Sequence, residues 1–313
     1  MADRSLAELI PRGVGLGCWQ FGDMGRGTPA DETSVALIRE AYRKGIRHFD
    51  TAHDYGMGHS EEVLGRGIEP FSEKAFVSTK MHAASREETI AGVEKSLSRL
   101  KREWIDLFSV HWPRTGFDLR PMMEALELLR TQGKIRLIGV SNFSVKDMAQ
   151  ASEAGRIDAH QLCYNLLWRY PEGDVIPYCR QKRIELITYS SLAQGLLTGT
   201  IGPEPRFAQG DPRPATVYYQ SDVWPHVWEG LQELLAIASE TGRPLAHLAL
   251  RWITDSGRIR AVLVGSRSAS HLAQNLAALD GEIAPSLMGR LDEVSAKIQR
   301  HIPPVGNIFK YYP

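Results

Sequence analysis

Short apolar runs alternate with amphipathic stretches along nearly the whole chain, with no break in composition. Eight of the runs predict strands: VGLGC, IRHFD, AFVSTK, IDLFSVH, KIRLIGV, AHQLCYN, IELITYS and IRAVLVG. Many are apolar at several consecutive positions, as expected of strands buried on both faces of a parallel sheet. Helical spacing predicts helices over Asp31–Lys44, Ser60–Ile68, Arg86–Leu100, Pro121–Gln132, Val145–Ala154 and Asp174–Gln181, and around Trp228–Thr241. A further helix, His271–Leu279, follows the last strand.

Helix punctuation supports these boundaries. Ser85 is placed to cap Arg86–Leu100, with Glu88 as its capping-box partner. Gly45 and Gly133 stand just past two helices, where a left-handed residue ends a helix well. Eight βα units in 313 residues predict an α/β fold of the (β/α)₈ TIM-barrel type, one domain spanning residues 1–313. An open dinucleotide-binding sheet would need GxGxxG opening a helix, and no amphipathic helix follows directly on GVGLGCWQFG. One stretch breaks the rhythm: Leu196 to Trp228, after the seventh strand, is rich in glycine and proline. A long connection there predicts a lid over the C-terminal face of the barrel, covering a cofactor.

Composition narrows the function. Lysine plus arginine and aspartate plus glutamate both number 37, which argues against a strongly basic nucleic-acid surface and against an acidic partner. The cysteines, Cys18, Cys163 and Cys179, are scattered and form no CxxC or disulfide framework. The first residues carry acids and lack a signal-peptide core, and no apolar run approaches the ~18 residues of a membrane span. The expectation is a cytoplasmic protein with no membrane or nucleic-acid partner.

Four residues then stand out at or just beyond the ends of three consecutive strands: Asp50, Tyr55, Lys80 and His111. In a barrel, polar residues at the C-terminal strand ends point to chemistry. An acid, a phenol, an amine and an imidazole suit proton transfer to a carbonyl oxygen. Tyrosine near its ordinary pKa of ~10 is a poor acid at neutral pH. An ammonium at Lys80 would lower that value, Asp50 would hold the lysine, and His111 would orient the carbonyl. Hydride must come from a cofactor, since no side chain donates one. Taken singly, Asp50 reads as a turn or helix cap, Lys80 as a solvated charge, His111 as a structural histidine and Tyr55 as a turn aromatic. Their joint placement outweighs those readings. His48, His53 and His59 lack any standard metal-ligand spacing, so no metal is expected.

With FDTAHDYGMGHSEEVLG, VSTK, DLFSVHWP, GVSNFS, QLCYNLLWR, TYSSLAQGLLTG and VGSRSASHLAQN in order, the chain resembles the aldo-keto reductase superfamily over nearly its whole length. The resemblance is to the bacterial and plant-type branch of aldehyde and sugar reductases. It implies a barrel that binds NADPH/NADP+, acts on a small-molecule carbonyl, and is a monomer or weak homo-oligomer. It also implies Tyr55 as general acid, Lys80 and Asp50 as its tuning pair, and His111 as the carbonyl-positioning residue. Ser141, Asn142 and Gln161 would grip the nicotinamide carboxamide, and Tyr189 would stack under the ring. Ser190, Leu192, Gln194 and Gly195 would run along the pyrophosphate. Gly265, Ser266 and Arg267 would hold the adenosine 2′-phosphate, with His271 and Asn275 toward the adenine.

Trp19 and Trp112 are expected to line the substrate mouth, with His53 and Arg114 as further pocket candidates. Against the commoner family pattern, the segment before GVGLG is short, His271 replaces glutamine or arginine, and Ser191 replaces a proline, leaving that turn less constrained. The C-terminal HIPPVGNIFKYYP would pack under the barrel or reach toward the pocket. A second reading is an interaction protein, an NADPH-sensing subunit with slow or no turnover, because fold does not fix function.

Overall fold

Eight parallel strands close into a barrel in sequence order in the computed structural model, which describes residues 9–22 and 29–310. They are β1 (Gly13–Gly17), β2 (His48–Asp50), β3 (Phe76–Met81), β4 (Ile105–Val110), β5 (Ile135–Ser141), β6 (Ala159–Cys163), β7 (Glu185–Tyr189) and β8 (Ala261–Gly265). Closure comes from β1 pairing with both β2 and β8. The strand IRHFD shortens to its last three residues because the backbone N–H of Ile46 returns to Ala41 O at 3.0 Å, ending the preceding helix. AHQLCYN stops at Cys163 because Asn165 turns back to pair with Trp168.

The helices are α1 (Asp31–Arg43), α2 (His59–Ile68), α3 (Arg86–Leu100), α4 (Arg120–Thr131), α5 (Val145–Ala151), α6 (Val175–Lys182), α7 (Trp224–Thr241), α8 (Leu245–Thr254), α9 (Ala269–Ala277) and α10 (Pro285–Gln299). The capping box at Ser85 and Glu88 is present, and Gly45 and Gly133 take φ of 98° and 77°. Two helices went unpredicted. α8, which buries Leu245, Leu248, Ala249, Leu250, Trp252 and Ile253, follows α7 with no strand between them, where the βα repeat has no place for a second helix. α10 follows the last βα unit, where the repeat gives no reason to expect another helix.

Side chains alternate along a strand, so residues two apart share a face. The inner face therefore reads in tiers. Phe76, Leu107, Leu137, Ala159, Ile187, Ala261 and Leu263 form an apolar cluster of their own with Ile10. Ile10 is fully buried, and its carbonyl accepts from Arg260 Nε at 2.7 Å. It closes the barrel floor; the residues before Leu9, on which the short N-terminal segment was remarked, lie outside the described residues. Stepping two and four residues up the same strands leads to Ser78 and Lys80, Ser109 and His111, Gly139 and Ser141, and Gln161. The interior turns from apolar to polar toward the C-terminal rim, which is where the candidate chemistry collects. The larger hydrophobic cluster is built by the outer strand faces and the helices.

The segment Leu196–Trp228 is more ordered than an open lid. Leu196, Leu197, Val217 and Tyr218 are buried, Trp224 already begins α7, and Val217 N–H donates to Ile308 O at 2.8 Å. Its exposed residues concentrate at 198–210. The C-terminal segment takes the second of its two expected courses: Phe309 meets the edge of Trp112, ring centroids 6.3 Å apart. Residues 311–313 lie outside the described residues. Among the described residues no helix is long and apolar enough to cross a membrane.

Candidate active site

Asp50 ends β2 and Lys80 lies one residue before the end of β3, which brings Lys80 Nζ to 2.7 Å from Asp50 Oδ2 with both side chains almost wholly buried. Lys80 also donates to Thr51 O at 2.7 Å. The other Asp50 oxygen, Oδ1, accepts from Ser78 Oγ at 2.7 Å and from Gln161 Nε2 at 2.8 Å. His48, two residues before Asp50 on the same strand face, contacts Ser78 Oγ through Nε2 at 2.8 Å. Since Ser78 spends its hydrogen on Asp50, it must accept from His48 Nε2–H. Burial pushes the His48 ring down to about 4, keeping it neutral.

Tyr55, half-buried in the turn after β2, has the Lys80 ammonium 5.0 Å from its ring centroid and the His111 ring edge-on at 5.8 Å. The four residues picked from sequence thus converge at one rim. Their electrostatics differ from the expectation. Burial first, then the charges of Asp50 and Asp54, hold the Tyr55 phenol well above its ordinary value rather than below it. The main reason is burial, which takes the phenolate out of water; the carboxylate of Asp50, paired with Lys80 at 2.7 Å, adds to it.

His111 lies just beyond β4 and is buried, with Nδ1 3.2 Å from Asp54 Oδ1. Burial works against the Asp54 carboxylate, but hydrogen bonds from His111 and His82 outweigh it and hold the group well below the usual range. An ionised carboxylate only accepts, so the His111 proton sits on Nδ1. Burial lowers the His111 pKa despite Asp54, so the ring is neutral and Nε2 carries a lone pair. In this tautomer the single ring proton is given to Asp54, whereas orienting a carbonyl by donation, as expected, takes the tautomer with the proton on Nε2.

The remaining candidates fall on the same face of the barrel. Asn142, at φ 62°, donates to His111 O and Ser141 Oγ, both at 3.1 Å, and its Oδ1 accepts from Tyr189 OH at 2.6 Å. The Gln161 amide nitrogen is taken by Asp50. After β7, Ser190, Ala193 and Gln194 all have positive φ, and Gln194 Nε2 donates to Ser190 Oγ at 2.5 Å. The Ser190 carbonyl accepts from Asn165 Nδ2 at 2.9 Å, and Leu192 O from Gly195 N at 2.9 Å. Ser191 does not loosen this turn: its buried hydroxyl contacts Thr188 Oγ1 and donates to Leu263 O at 3.2 Å, tying β7 to β8. Beyond Gly265, Ser266 is buried and accepts from Asn275 Nδ2 at 3.0 Å, so Asn275 braces the loop. Arg267 and His271 are exposed at the start of α9, whose N-cap is Ser268.

Trp19 and Trp112 are both partly buried, Trp19 just after β1 and Trp112 beside His111 with ring centroids 6.1 Å apart. His53, half-buried, is held from the side of α3. It is tied to Arg99, which donates to its carbonyl and to the buried Glu61. Arg114 lies over Phe117 at 5.9 Å. His48, His53 and His59 have separate partners, His59 binding Asp31 at 2.8 Å. Sequence reasoning missed Ser78 and His48, which strand parity with Lys80 and Asp50 could have found. It also missed Gln20, which ties the turn after β1 to Ser266 O at 3.0 Å, and Asp54, which carries no periodic signal.

Comparisons with known proteins agree with this architecture. Residues 13–296 match the profile of the Aldo/keto reductase family. The chain is 34% identical over 272 residues to aldo-keto reductase YhdN of Bacillus subtilis, covering 83% of this chain and 82% of the relative. It is 28% identical to the NADH-specific methylglyoxal reductase of Escherichia coli, over 92% of this chain and 95% of the relative. Among solved structures, a glycerol dehydrogenase from Gluconobacter oxydans superposes with a TM-score of 0.82 at 30% identity, covering 93% of this chain and 92% of that one. An aldo/keto reductase from Klebsiella pneumoniae in complex with NADP and acetate gives 0.72 at 27% identity, over 94% and 93%. On a barrel whose rim gathers an acid, a lysine, a tyrosine and a histidine, the chain belongs to the aldo/keto reductase family, oxidoreductases acting on carbonyl and alcohol groups.

Proposed function

We propose that the protein reduces an aldehyde or ketone with NADPH, with Tyr55 as the proton donor. The observation that carries this reading is the buried Lys80–Asp50 pair beneath a tyrosine that keeps its proton. The rim also fits a nicotinamide dinucleotide. Nothing stands within 4 Å of where a Cβ would sit on Gly195, leaving open approach to its backbone. Arg267 is exposed at a helix N-terminus, a natural seat for phosphate. Ser141, Asn142, Gln161 and Tyr189 supply polar and aromatic surface beside the tetrad, and Ser190, Leu192, Gln194, Gly265, Ser266, His271 and Asn275 frame the rest. The cofactor, when bound, supplies the hydride.

Tyr55 delivers its phenolic proton to the oxygen that gains charge. Lys80 then stabilises the phenolate left behind, and Asp50 keeps the ammonium charged and fixed. His111 Nε2, bare in the neutral ring, accepts from the hydroxyl of the alcohol, so it serves the product of reduction or the substrate of oxidation. The relatives' printed names, a methylglyoxal reductase and a glycerol dehydrogenase, support short oxygenated carbonyls as first substrates. The methylglyoxal reductase is NADH-specific while the Klebsiella pneumoniae reductase was solved with NADP, so NADPH over NADH rests here on Arg267.

The test is turnover with NADPH and NADH over a panel of short aldehydes and dicarbonyls. Tyr55→Phe should lose about 10²–10⁴-fold in kcat while binding cofactor as before. A near-normal kcat in that variant sinks the assignment. Tight binding without turnover by the parent chain favours the sensing subunit instead.

A further inference from the structure

We propose that Asp54, His82 and His111 form a binding site for a divalent first-row transition cation, Zn²⁺ or a close relative, at the edge of the reaction centre. The three residues come from the ends of three adjacent strands: Asp54 follows β2, His82 follows β3 and His111 follows β4. One carboxylate oxygen, one His82 nitrogen and one His111 nitrogen all lie within 4.8 Å of one another. His111 Nδ1 lies 3.2 Å from Asp54 Oδ1, and His82 Nε2 lies 3.4 Å from the other oxygen, Oδ2. A tetrahedral ion with bonds of about 2.0–2.2 Å needs its ligand atoms about 3.3–3.5 Å apart, so the three groups, now within 4.8 Å, close on the ion by rotation of the exposed His82 ring and the Asp54 carboxylate.

The backbone that carries these groups is fixed. His53 N–H donates to Lys80 O at 2.8 Å, His111 N–H to Met81 O at 2.7 Å, and Ala83 N–H to Trp112 O at 3.2 Å. Asp54 and His82 face solvent while His111 is buried, so an ion can enter from water and keep water on its remaining positions. Two imidazoles and one carboxylate select zinc, cobalt, nickel or copper over magnesium and calcium. Binding at Nδ1 moves the single proton of the neutral His111 ring to Nε2, so the ring stays neutral and no proton leaves it. Because His111 adjoins Tyr55, occupancy blocks turnover; this consequence rests on the reductase reading, whereas the site itself does not.

Other zinc ligands are poor competitors. All three cysteines are buried, and burial pushes Cys179 up to about 12. The stacked His226 and His301 rings, 3.6 Å apart, have no third ligating group among the described residues.

The experiment is calorimetric titration of the chelator-treated protein with Zn²⁺. His82→Ala, Asp54→Asn and His226→Ala are titrated alongside, with Mg²⁺ as the contrast ion. One equivalent of Zn²⁺ is expected, weakened by more than about tenfold in His82→Ala and Asp54→Asn and unchanged in His226→Ala. Co²⁺ should give a visible absorption band that His82→Ala loses. Equal Zn²⁺ binding by parent and His82→Ala, or no binding by the parent, overturns the site and leaves Asp54 bridging the two rings by hydrogen bonds alone. These readouts need no turnover, so they stand apart from the test of the reductase. In an active protein, Zn²⁺ should inhibit the parent and release on chelation, with His82→Ala less sensitive; binding without inhibition overturns the inhibitory role.

Discussion

Lys80 and Asp50 form an ion pair sealed inside the barrel rim, Nζ to Oδ2 2.7 Å, with every oxygen of the carboxylate hydrogen-bonded. Such a pair is costly to bury and much costlier to break on one side. Lys80→Met strands the Asp50 charge and should destabilise the fold by about 3–5 kcal/mol, measured by urea unfolding. Asp50→Asn combined with Lys80→Met removes the buried charge and should recover a large part of that loss. If the double variant is no more stable than Lys80→Met, the pair is not what sets the cost.

Gly22 touches the proposed proton donor through the backbone. A Cβ there would stand 2.6 Å from the Tyr55 carbonyl carbon and 2.8 Å from Gly56 N, although its φ of −98° suits any residue. Gly22→Ala therefore acts by displacement and not by backbone strain. Turnover should fall by about tenfold or more, as small misplacements of reacting groups do, with the circular dichroism spectrum unchanged. Parent-like kcat in a folded Gly22→Ala protein would show that Tyr55 tolerates the shift.

Arg267 is the exposed cation beside the α9 N-terminus. Under the proposed cofactor reading, Arg267→Ala should raise the Kd for NADPH by about 10–100-fold, the worth of a charge-assisted hydrogen bond, and leave NADH nearly unaffected. Fluorescence titration of both nucleotides decides it. Equal losses for the two would place Arg267 away from the 2′-phosphate.

His160 sits fully buried on β6, its Nε2 accepting from Phe143 N–H at 3.1 Å, and burial pushes its pKa down to about 3. The unfolded chain takes up a proton below about pH 6.5 and the folded one does not until about pH 3, so stability falls on acidification through that window. His160→Gln keeps an acceptor for Phe143 and lacks the titration. Its unfolding free energy should lose about 1.4 kcal/mol per pH unit of slope between roughly pH 6 and 4, measured by urea melts at several pH values. An unchanged slope would mean His160 protonates in the folded state.

Local pattern alone determined a good deal of this protein. Alternation of apolar runs and amphipathic stretches fixes the order of eight strands, because a strand or helix declares itself by its own period, and Ser85 with Glu88 marks one helix start to the residue. Asp50, Tyr55, Lys80 and His111 were legible for the same reason: barrel strand ends are brought together by topology, whatever the loops do. Tertiary structure decided the charges. Only packing shows that Lys80 is sealed against Asp50, that burial raises Tyr55, and that Asp54 meets His111 at Nδ1. It also decided that Phe309 reaches Trp112 and that Gly22 lies against Tyr55. Such contacts join residues distant in sequence, and a protonation state depends on the field and solvent around a group, neither of which a one-dimensional spacing contains.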